Sequence, residues 1–395
     1  MGGQGGMNRK ELEKRLVDFV NGILSEADPQ LRVGPDTALF EEGVIDSLRI
    51  LDLIACVEEL TGRKVPDAQV RLANFRSVRV IAAAFGDGRA DRLGRTAETS
   101  AAGPALHVFE RRSGRGKFTR VLDELEARGQ GVLAEPGRMA FTGRPLQLLG
   151  RFDAIMLGWA EELGAETEDW PVRLPVKTLA RAGCAVDPET AREIVPPAVC
   201  YHAYPRRQGR RLASAPLLLT GRGPCHRSES SLDPSQGRLR DFEMREIVMI
   251  GSRTDVERFR QRMIARVKDL VTDLDLEGRI ETANDPFFLG GGPVAPATDS
   301  QPRGRWLMQR VLPLKYELRL ALDRDRTCAV ASFNHHLAHF GRRFDIRLPS
   351  GVIAHTGCVA FGLERWVLAF LAQHGIDEHA WPAAVGRETR HARIA

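Results

Sequence analysis

The sequence predicts two folded parts, a small all-helical unit followed by a larger α+β domain with an antiparallel sheet. Residues 9–86 carry apolar residues at helical spacing, and residues 87–105 are rich in Gly, Ala and charge. From about residue 106 to residue 395, helix-like and strand-like runs follow one another without a regular βαβ rhythm. A chain of 395 residues is long enough for two or three domains.

The first unit, residues 1–86, is predicted to be a four-helix domain. Residues 9–25 place Leu12, Leu16 and Val20 on one face, which is the pattern of an amphipathic helix. A second helix opens at Ser47 and stops at Thr61-Gly-Arg. A short segment over residues 67–75 and a helix over residues 78–85 complete the unit, and residues 87–105 are predicted to be a flexible linker.

Composition restricts the class of protein. Hydrophobic residues make up 43% and charged residues 28%, as in ordinary globular domains, and no apolar run is long enough to span a membrane. The net charge of +5 suits a phosphate-bearing ligand or an acidic partner without establishing nucleic-acid binding. Six scattered cysteines without a CxxC pair predict a reducing, cytoplasmic setting, and Cys56, Cys184 and Cys328 are predicted to be inert core residues.

The larger domain, residues 106–395, is predicted to contain four helices and four clear strands. The predicted helices cover residues 118–133, 146–163, 256–274 and 362–374. The predicted strands cover residues 215–219, 240–251, 316–321 and 329–333.

Ser47, in the stretch GVIDSLRILDLI, has three interpretations. It could cap the helix that it opens, because Ser often precedes an apolar helical run. A hydrolase nucleophile is a poorer fit, since the G-x-S-x-G elbow is absent. The third interpretation is a prosthetic-group attachment site, because a helix N-terminus stabilises a phosphodiester anion.

The surrounding unit, LFEEGVIDSLRILDLIACVEELTGRKVP followed by NFRSV, resembles the acyl and aminoacyl carrier proteins over residues 9–86. The resemblance implies that Ser47 carries 4′-phosphopantetheine, added by a separate phosphopantetheinyl transferase. The modified helix bears Asp46, Asp52, Glu58 and Glu59 against Arg49, and these carboxylates form either a recognition face for a basic partner or an ordinary solvated face.

In the larger domain, Arg227-x-Glu229 is followed by a Pro- and Gly-containing loop and then by Arg238-x-x-x-Phe242. As two antiparallel strands, this hairpin would offer a guanidinium to an α-phosphate, a carboxylate or backbone group to adenine, and an aromatic ring to stack on the base. Further on, the stretch GCVAFGLER predicts a strand-to-helix junction of small residues in which Arg365 opens the helix near a phosphate.

In this order the two stretches resemble motifs 2 and 3 of the class II aminoacyl-tRNA synthetases. The resemblance implies that Arg227 and Arg365 are catalytic, that Arg227, Glu229, Arg238, Phe242 and Arg365 bind Mg²⁺-ATP, and that the protein is a homodimer. VPPAVCYHAYP, SFNHHLAHFGRRFDI and HTGCVAFGLERW resemble more closely the seryl-tRNA-synthetase-like amino acid–[carrier protein] ligases.

That closer resemblance implies activation of a small amino acid, glycine or alanine, and its transfer to a carrier's phosphopantetheine thiol. The carrier is expected to be the protein's own first unit, in cis or in trans, or a free carrier protein. No tRNA is expected as a partner, because no long coiled-coil arm is visible in the sequence. The alternatives are a tRNA-charging enzyme and a non-catalytic synthetase paralogue.

The same family implies a zinc ion held by Cys200, Glu246 and Cys358, with a fourth position open for the substrate amino group. Glu229 is a rival ligand. His335, His336 and His339 have helical spacing within a run that begins as a strand, which makes that geometry a poor fit.

Four further residues have open roles. Asn334 is predicted to contact substrate or Mg²⁺. Glu317 binds Mg²⁺ or simply alternates on a strand. Arg210 and Arg211 either meet the carrier's carboxylates or are merely solvated.

Overall fold

The computed structural model describes residues 8–25, 32–40, 44, 49–66, 69–70, 72–86, 107–113, 118–135, 137–184, 192–227, 232–283 and 314–386. By its contacts the chain divides into two compact units, with a division between Ala105 and Leu106. The predicted linker, residues 87–105, lies outside the described residues, so its boundaries stay a prediction. None of the described helices combines the length and apolar composition needed to cross a bilayer.

The described part of the first unit is helical, with helices α1 (Arg9–Ser25), α2 (Arg49–Thr61), α3 (Leu72–Phe75) and α4 (Val78–Phe85). Leu12, Leu16 and Val20 are fully buried, which confirms the predicted apolar face of α1. Helix α4 begins where the Ser77 side chain accepts a hydrogen bond from the Val80 backbone. Cys56 is half-buried on α2, so its predicted place in the core is wrong. Ser47 and Asp46 lie outside the described residues.

The second unit is organised around one eight-stranded sheet, in the order β1-β9-β10-β11-β12-β8-β7-β4. Its strands are β1 (His107–Arg111), β4 (Glu166–Thr167), β7 (Leu217–His226), β8 (Asp241–Gly251), β9 (Gly278–Thr282), β10 (Lys315–Ala321), β11 (Thr327–Leu337) and β12 (His355–Gly362). The pairing is antiparallel except at the edge, where β4 runs parallel to β7. The sequence predicts a purely antiparallel sheet, and the parallel edge strand β4 makes the observed sheet mixed.

Two small two-stranded sheets and seven α-helices complete the described part of this unit. One sheet is a hairpin of β2 (Gly131–Glu135) with β3 (Arg138–Phe141), and the other pairs β5 (Leu174–Pro175) with β6 (Glu193–Ile194), which a helix separates in the chain. The helices are α5 (Val121–Ala127), α6 (Gly143–Glu162), α7 (Val176–Ala182), α8 (Arg253–Asp273), α9 (His339–Arg343), α10 (Leu363–His374) and α11 (Ala383–Gly386).

The single helix predicted over residues 118–133 is wrong. Helix α5 ends at Ala127, and the chain turns through Gly129, whose φ of +62° only glycine adopts without strain. The chain then continues as strand β2. The other predicted helices and strands match observed elements within a few residues at most ends, although β7 extends well beyond the predicted residues 215–219.

Successive side chains of β8 and β12 point alternately to the two faces of the sheet, and different residues pack on each face. Ile247 and Met249 join the core formed with α6, α8 and α10, which covers one face. Phe242, Val248 and Cys358 join a second core on the opposite face, here called the front face. The predicted ligand and nucleotide residues of β8 and β12 therefore share the front face.

Candidate active site

The front face carries a thiol–carboxylate cluster formed by Cys200, Glu246 and Cys358. Cys200 lies in the 3-10 turn Val199–His202, Glu246 in the middle of β8 and Cys358 on β12. One possible ligand atom from each residue lies within 4.8 Å of the other two, and all three residues are buried. The structure thus brings together three residues that are 46 and 112 positions apart in the sequence.

Hydrogen bonds hold the cluster together. The backbone N–H of Cys200 donates to Glu246 Oε2, and Cys358 Sγ lies 3.2 Å from Glu246 Oε1. A hydrogen bond with Cys358 and burial raise the pKa of Cys200. The hydrogen bond with Cys200 lowers the pKa of Cys358, but burial and the carboxylate of Glu246 outweigh it and the net shift is upward.

Burial also raises the pKa of Glu246, despite the hydrogen bonds that it accepts from the two cysteines. Without a cation, all three groups therefore release their protons less readily than they would in water. A tetrahedral zinc ion needs donor atoms roughly 3.5–3.8 Å apart, given its usual bond lengths. Two sulfurs and a carboxylate oxygen within 4.8 Å of one another fit that requirement after small adjustments.

Two residues of β11 support Cys358. Asn334 lies opposite Cys358 in the β11–β12 register, and its Nδ2 is 3.4 Å from Cys358 Sγ. The Asn334 Oδ1 atom is buried and has no hydrogen-bond partner among the residues that the structure describes. The structure therefore places Asn334 beside the thiol–carboxylate cluster, where a substrate contact stays a prediction.

Sequence reasoning did not assign His336 to this site. His336 Nε2 lies 3.6 Å from Cys358 Sγ, and His336 Nδ1 lies 3.2 Å from Thr356 Oγ1. Burial lowers the pKa of His336 to about 3, so the imidazole is neutral. The available signal was strand alternation, because Asn334 and His336 are two residues apart and share one face of β11.

A second cluster on the front face, the arginine–phenylalanine cluster, consists of Arg227, Phe242 and Arg365. The guanidinium carbon of Arg227 lies 5.2 Å from the centre of the Phe242 ring, and that of Arg365 lies 5.7 Å from it. Arg227 Nε donates to the carbonyl of Pro197 at 3.0 Å. Arg365 Nε and Nη1 donate to the carbonyls of Gly237 and Ala329 at 2.8 and 3.0 Å. Two fixed cations thus flank an aromatic ring, an arrangement suited to a nucleotide.

The two clusters share strand β8. Phe242 and Glu246 are four residues apart on it, so their side chains face the same way and their Cα atoms are about 13 Å apart. A ligand with an amine at one end and a nucleotide at the other would fit this spacing.

The other residues predicted to bind the nucleotide or its Mg²⁺ are not members of the arginine–phenylalanine cluster. Glu229 lies outside the described residues. Arg238 is exposed in the turn after Gly237. Glu317 is buried on β10, opposite Ser332, and Lys315 Nζ lies 2.7 Å from its Oε1. Burial would raise the pKa of Glu317, but Lys315, Arg319 and Arg365 hold it below its usual value. Its binding of Mg²⁺ stays a prediction.

Two buried acidic residues that the sequence did not single out position β8. Both carboxylate oxygens of Glu364, in the first turn of α10, accept a hydrogen bond from the Glu243 backbone at 3.0 Å. Burial raises the pKa of Glu364 to about 7. Asp153 on α6 forms a buried, two-pronged ion pair with Arg245, next to Glu246. These contacts attach α6 and α10 to the strand that carries both clusters.

Comparisons with known proteins find similarity to a family model and to curated relatives. The family model "Phosphopantetheine attachment site" matches residues 14–85. Amino acid–[acyl-carrier-protein] ligase 1 of Bradyrhizobium diazoefficiens is 38% identical over 196 residues, which is 49% of this chain and 56% of the ligase. The chain thus spans little more than half the length of this relative. Type-2 serine–tRNA ligase of Methanothermobacter thermautotrophicus is 34% identical over 165 residues, or 42% of this chain and 30% of the relative.

Solved structures show the same fold. The M. kandleri SerRS, whose structure was determined with A. aeolicus tRNASec, has a TM-score of 0.60 and 21% sequence identity to this chain. The match covers 78% of this chain and 66% of the SerRS chain. Seryl-tRNA synthetase from Pyrococcus horikoshii has a TM-score of 0.56 at 15% identity, with 95% and 88% covered. The chain therefore joins a segment that matches the phosphopantetheine attachment family to a seryl-tRNA-synthetase-like class II core homologous to the amino acid–[acyl-carrier-protein] ligases.

Proposed function

We propose that this protein activates a small amino acid with Mg²⁺-ATP as an aminoacyl-adenylate and transfers it to the phosphopantetheine thiol of a carrier protein. One observation carries the proposal. Phe242 of the arginine–phenylalanine cluster and Glu246 of the thiol–carboxylate cluster project from one face of β8 with their Cα atoms about 13 Å apart, a spacing that suits an aminoacyl-adenylate. The matches to an amino acid–[acyl-carrier-protein] ligase and to the phosphopantetheine attachment family support the choice of acceptor.

The arginine–phenylalanine cluster would bind the nucleotide. Phe242 would stack on the adenine, and Arg227 and Arg365 would neutralise the phosphates while the amino acid carboxylate attacks the α-phosphorus. Carbonyl oxygens of Pro197, Gly237 and Ala329 already hold both guanidinium groups, so little reorganisation is needed on binding. Arg238, at the exposed turn, would steady the departing pyrophosphate, and Glu317 would meet the Mg²⁺ that accompanies ATP.

The thiol–carboxylate cluster would receive the amino end of the substrate. Cys200, Glu246 and Cys358 would hold a zinc ion, which as a Lewis acid binds an uncharged α-amino group. Asn334 and His336 would orient Cys358 and exclude water around it. A substrate without an α-amino group would be rejected. Little free space is expected around a buried cluster, which favours glycine or alanine.

The acceptor would be a carrier protein whose serine has been modified by a phosphopantetheinyl transferase. Ser47 is the corresponding residue here, so the first unit would be loaded in cis or by a second copy of the chain, and free carriers would also serve. The phosphopantetheine would supply the thiol that receives the aminoacyl group as a thioester, while the acyl–phosphate bond breaks, AMP leaves and the thiol proton is released. A homodimer and a cytoplasmic location stay predictions.

An ATP–pyrophosphate exchange screen over the amino acids tests the activation step. We expect exchange with one small amino acid, and exchange with none would exclude the proposed reaction. After transferase treatment, intact-protein mass spectrometry should show a covalently bound amino acid on the unaltered chain. Ser47→Ala should exchange pyrophosphate normally but retain no amino acid, which separates activation from transfer.

A tRNA-charging enzyme is the second candidate, because the type-2 serine–tRNA ligase of Methanothermobacter thermautotrophicus is 34% identical over 165 residues. Aminoacylation of total tRNA with serine and with the amino acid found in the screen distinguishes the two. Charging of tRNA at a rate equal to carrier loading would favour the second candidate.

A further inference from the structure

Two segments that continue from the candidate site form one exposed surface. Residues 203–212 follow the turn that holds Cys200, and residues 339–351 follow β11. Backbone hydrogen bonds join them, from Gly209 to Phe344, from Arg347 to Arg210 and from Leu212 to Arg347. The surface is therefore a fixed part of the fold.

This surface is strongly basic. The two segments contain seven arginines and one acidic residue, Asp345. Six of the arginines are exposed and form what we call the arginine patch: Arg206, Arg210, Arg211, Arg342, Arg343 and Arg347. Arg206 and Arg347 lie within ion-pair distance of Glu168 and Asp345, at 3.7 and 2.9 Å. Arg210 and Arg211 form no ion pair within the described part of the chain. A concentration of cations with so few counter-charges favours an anionic partner.

The arginine patch adjoins the thiol–carboxylate cluster. His336, 3.6 Å from Cys358 Sγ, contacts the ring of Phe340, whose centre is 5.0 Å away. Phe340 in turn stacks on Tyr204 at 4.1 Å. Phe340 and Tyr204 belong to the two segments that carry the patch. A partner held there would be anchored beside the amino acid end of the site.

The described part of the first unit carries an exposed acidic surface on helix α2. Asp52 and Glu59 are exposed on helix α2, seven residues apart, and therefore lie on the same face. Glu58, between them, pairs with Lys64 at 2.5 Å. This helix lies inside residues 14–85, which match the phosphopantetheine attachment family.

We propose that the arginine patch is the docking surface for the acidic helix of a phosphopantetheine-bearing carrier protein, of which α2 is the example in this chain. The proposal rests on the proposed function. Charge complementarity of this kind mainly guides encounter and orientation. It therefore affects the transfer step and leaves amino acid activation unchanged.

The test combines two full-length variants of the chain, one that serves as the enzyme and one that serves as the acceptor. The enzyme copy carries Ser47→Ala and has no acceptor of its own. The acceptor copy carries Arg227→Ala with Arg365→Ala and is phosphopantetheinylated. Loading is measured against acceptor concentration, beside pyrophosphate exchange by the enzyme copy alone.

Arg210→Glu with Arg211→Glu in the enzyme copy should raise the KM for the acceptor about tenfold and leave exchange within about twofold. Asp52→Lys with Glu59→Lys in the acceptor should weaken loading by the unaltered patch and partly restore loading by the reversed patch. Arg258→Glu with Arg262→Glu, an exposed pair on α8, is the matched control and should leave KM unchanged. If the reversed patch loses exchange, Arg210→Gln with Arg211→Gln replaces it.

An unchanged acceptor KM in the patch variant, or an equal rise in the α8 control, would overturn the docking proposal. So would loss of total-tRNA binding with unaltered carrier loading, which would assign the patch to nucleic acid. If the parent chain shows no exchange at all, the proposed function has failed. Docking is then measured by fluorescence anisotropy of the labelled acceptor copy. Equal affinity of the acceptor for the parent chain and for the patch variant would contradict the docking proposal.

Discussion

The thiol–carboxylate cluster and the arginine–phenylalanine cluster lie on the same face of β8, but they differ in charge before any ligand binds. The first is buried. Burial raises the pKa of Glu246, a hydrogen bond with Cys358 and then burial raise the pKa of Cys200, and the hydrogen bond that lowers the pKa of Cys358 is outweighed by burial and Glu246. The second presents two permanent cations over an aromatic ring. The first must lose protons to bind a metal ion, whereas the second is ready for an anion.

The two clusters are therefore preorganised in different ways, the arginines by fixed hydrogen bonds and the thiol–carboxylate cluster by the proximity of its donor atoms. Backbone carbonyls fix the arginines, and those acceptors are present in every folded molecule. The donor atoms of the thiol–carboxylate cluster are close together, but their ionised state depends on the cation itself. Metal content and nucleotide binding should therefore respond independently to substitution.

The largest effect is expected from Cys358→Ala. Loss of one of three donors should remove the metal and lower pyrophosphate exchange on the order of 1,000-fold, because a Lewis acid contributes several kcal/mol. Elemental analysis of the purified protein checks the metal and the exchange assay checks activity. Cys184→Ala, another buried cysteine outside the cluster, is the control and should keep its metal. Full zinc content in Cys358→Ala would move the metal site elsewhere.

A smaller effect is expected from Arg365→Ala. Removing one of the two cations over Phe242 should lower exchange on the order of 100-fold, since a fixed electrostatic contact at a reacting phosphate is lost. Zinc content should not change. The matched control is Arg240→Ala, an exposed arginine three residues after Gly237, whose carbonyl oxygen accepts a hydrogen bond from Arg365. A parallel loss of zinc in Arg365→Ala would contradict the independence of the two clusters.

The smallest effect concerns Glu364, which holds β8 behind both clusters. Its pKa rises from 4.5 to about 7 on burial, so between these values the folded state binds more protons than the unfolded state. Stability therefore falls as pH rises through this window, by on the order of 2 kcal/mol. Glu243, which raises the pKa, and Arg222, which lowers it, face the same carboxylate.

Glu364→Gln keeps an oxygen for the Glu243 backbone but removes the titration. Its melting temperature relative to the parent should therefore be higher at pH 8 than at pH 5. Glu126→Gln, at an exposed glutamate of α5, should show no such dependence on pH. A pH-independent difference for Glu364→Gln would show that this carboxyl does not titrate in the window.

Local patterns predicted the parts of the site that one strand or one hairpin determines. The Arg227–Phe242 hairpin and the strand-to-helix junction before Arg365 follow from sequence spacing, and the structure forms both. The three members of the thiol–carboxylate cluster came from family resemblance, because nothing local connects Cys200 with residues 46 and 112 positions away. His336 was missed for a similar reason, since its approach to Cys358 depends on the register between β11 and β12.

The edge of the sheet was also beyond local reasoning. Strand β4 is only two residues long, and its parallel pairing with β7 depends on how α6 returns the chain. The start of β2 falls within the helix predicted over residues 118–133, because Val132 and Leu133 fit helical and extended patterns equally well.

The buried pair between Asp153 and Arg245 has a consequence for how this sequence can diverge. Replacing Asp153 alone leaves the buried guanidinium of Arg245 without its carboxylate, at a cost of about 3–5 kcal/mol. Replacing Arg245 alone costs less, because Arg222 Nη1 still lies 3.2 Å from Asp153. Descendants of this sequence should therefore lose Asp153 only after Arg245 has been exchanged, so that one helix and the strand beneath the active site change in a fixed order.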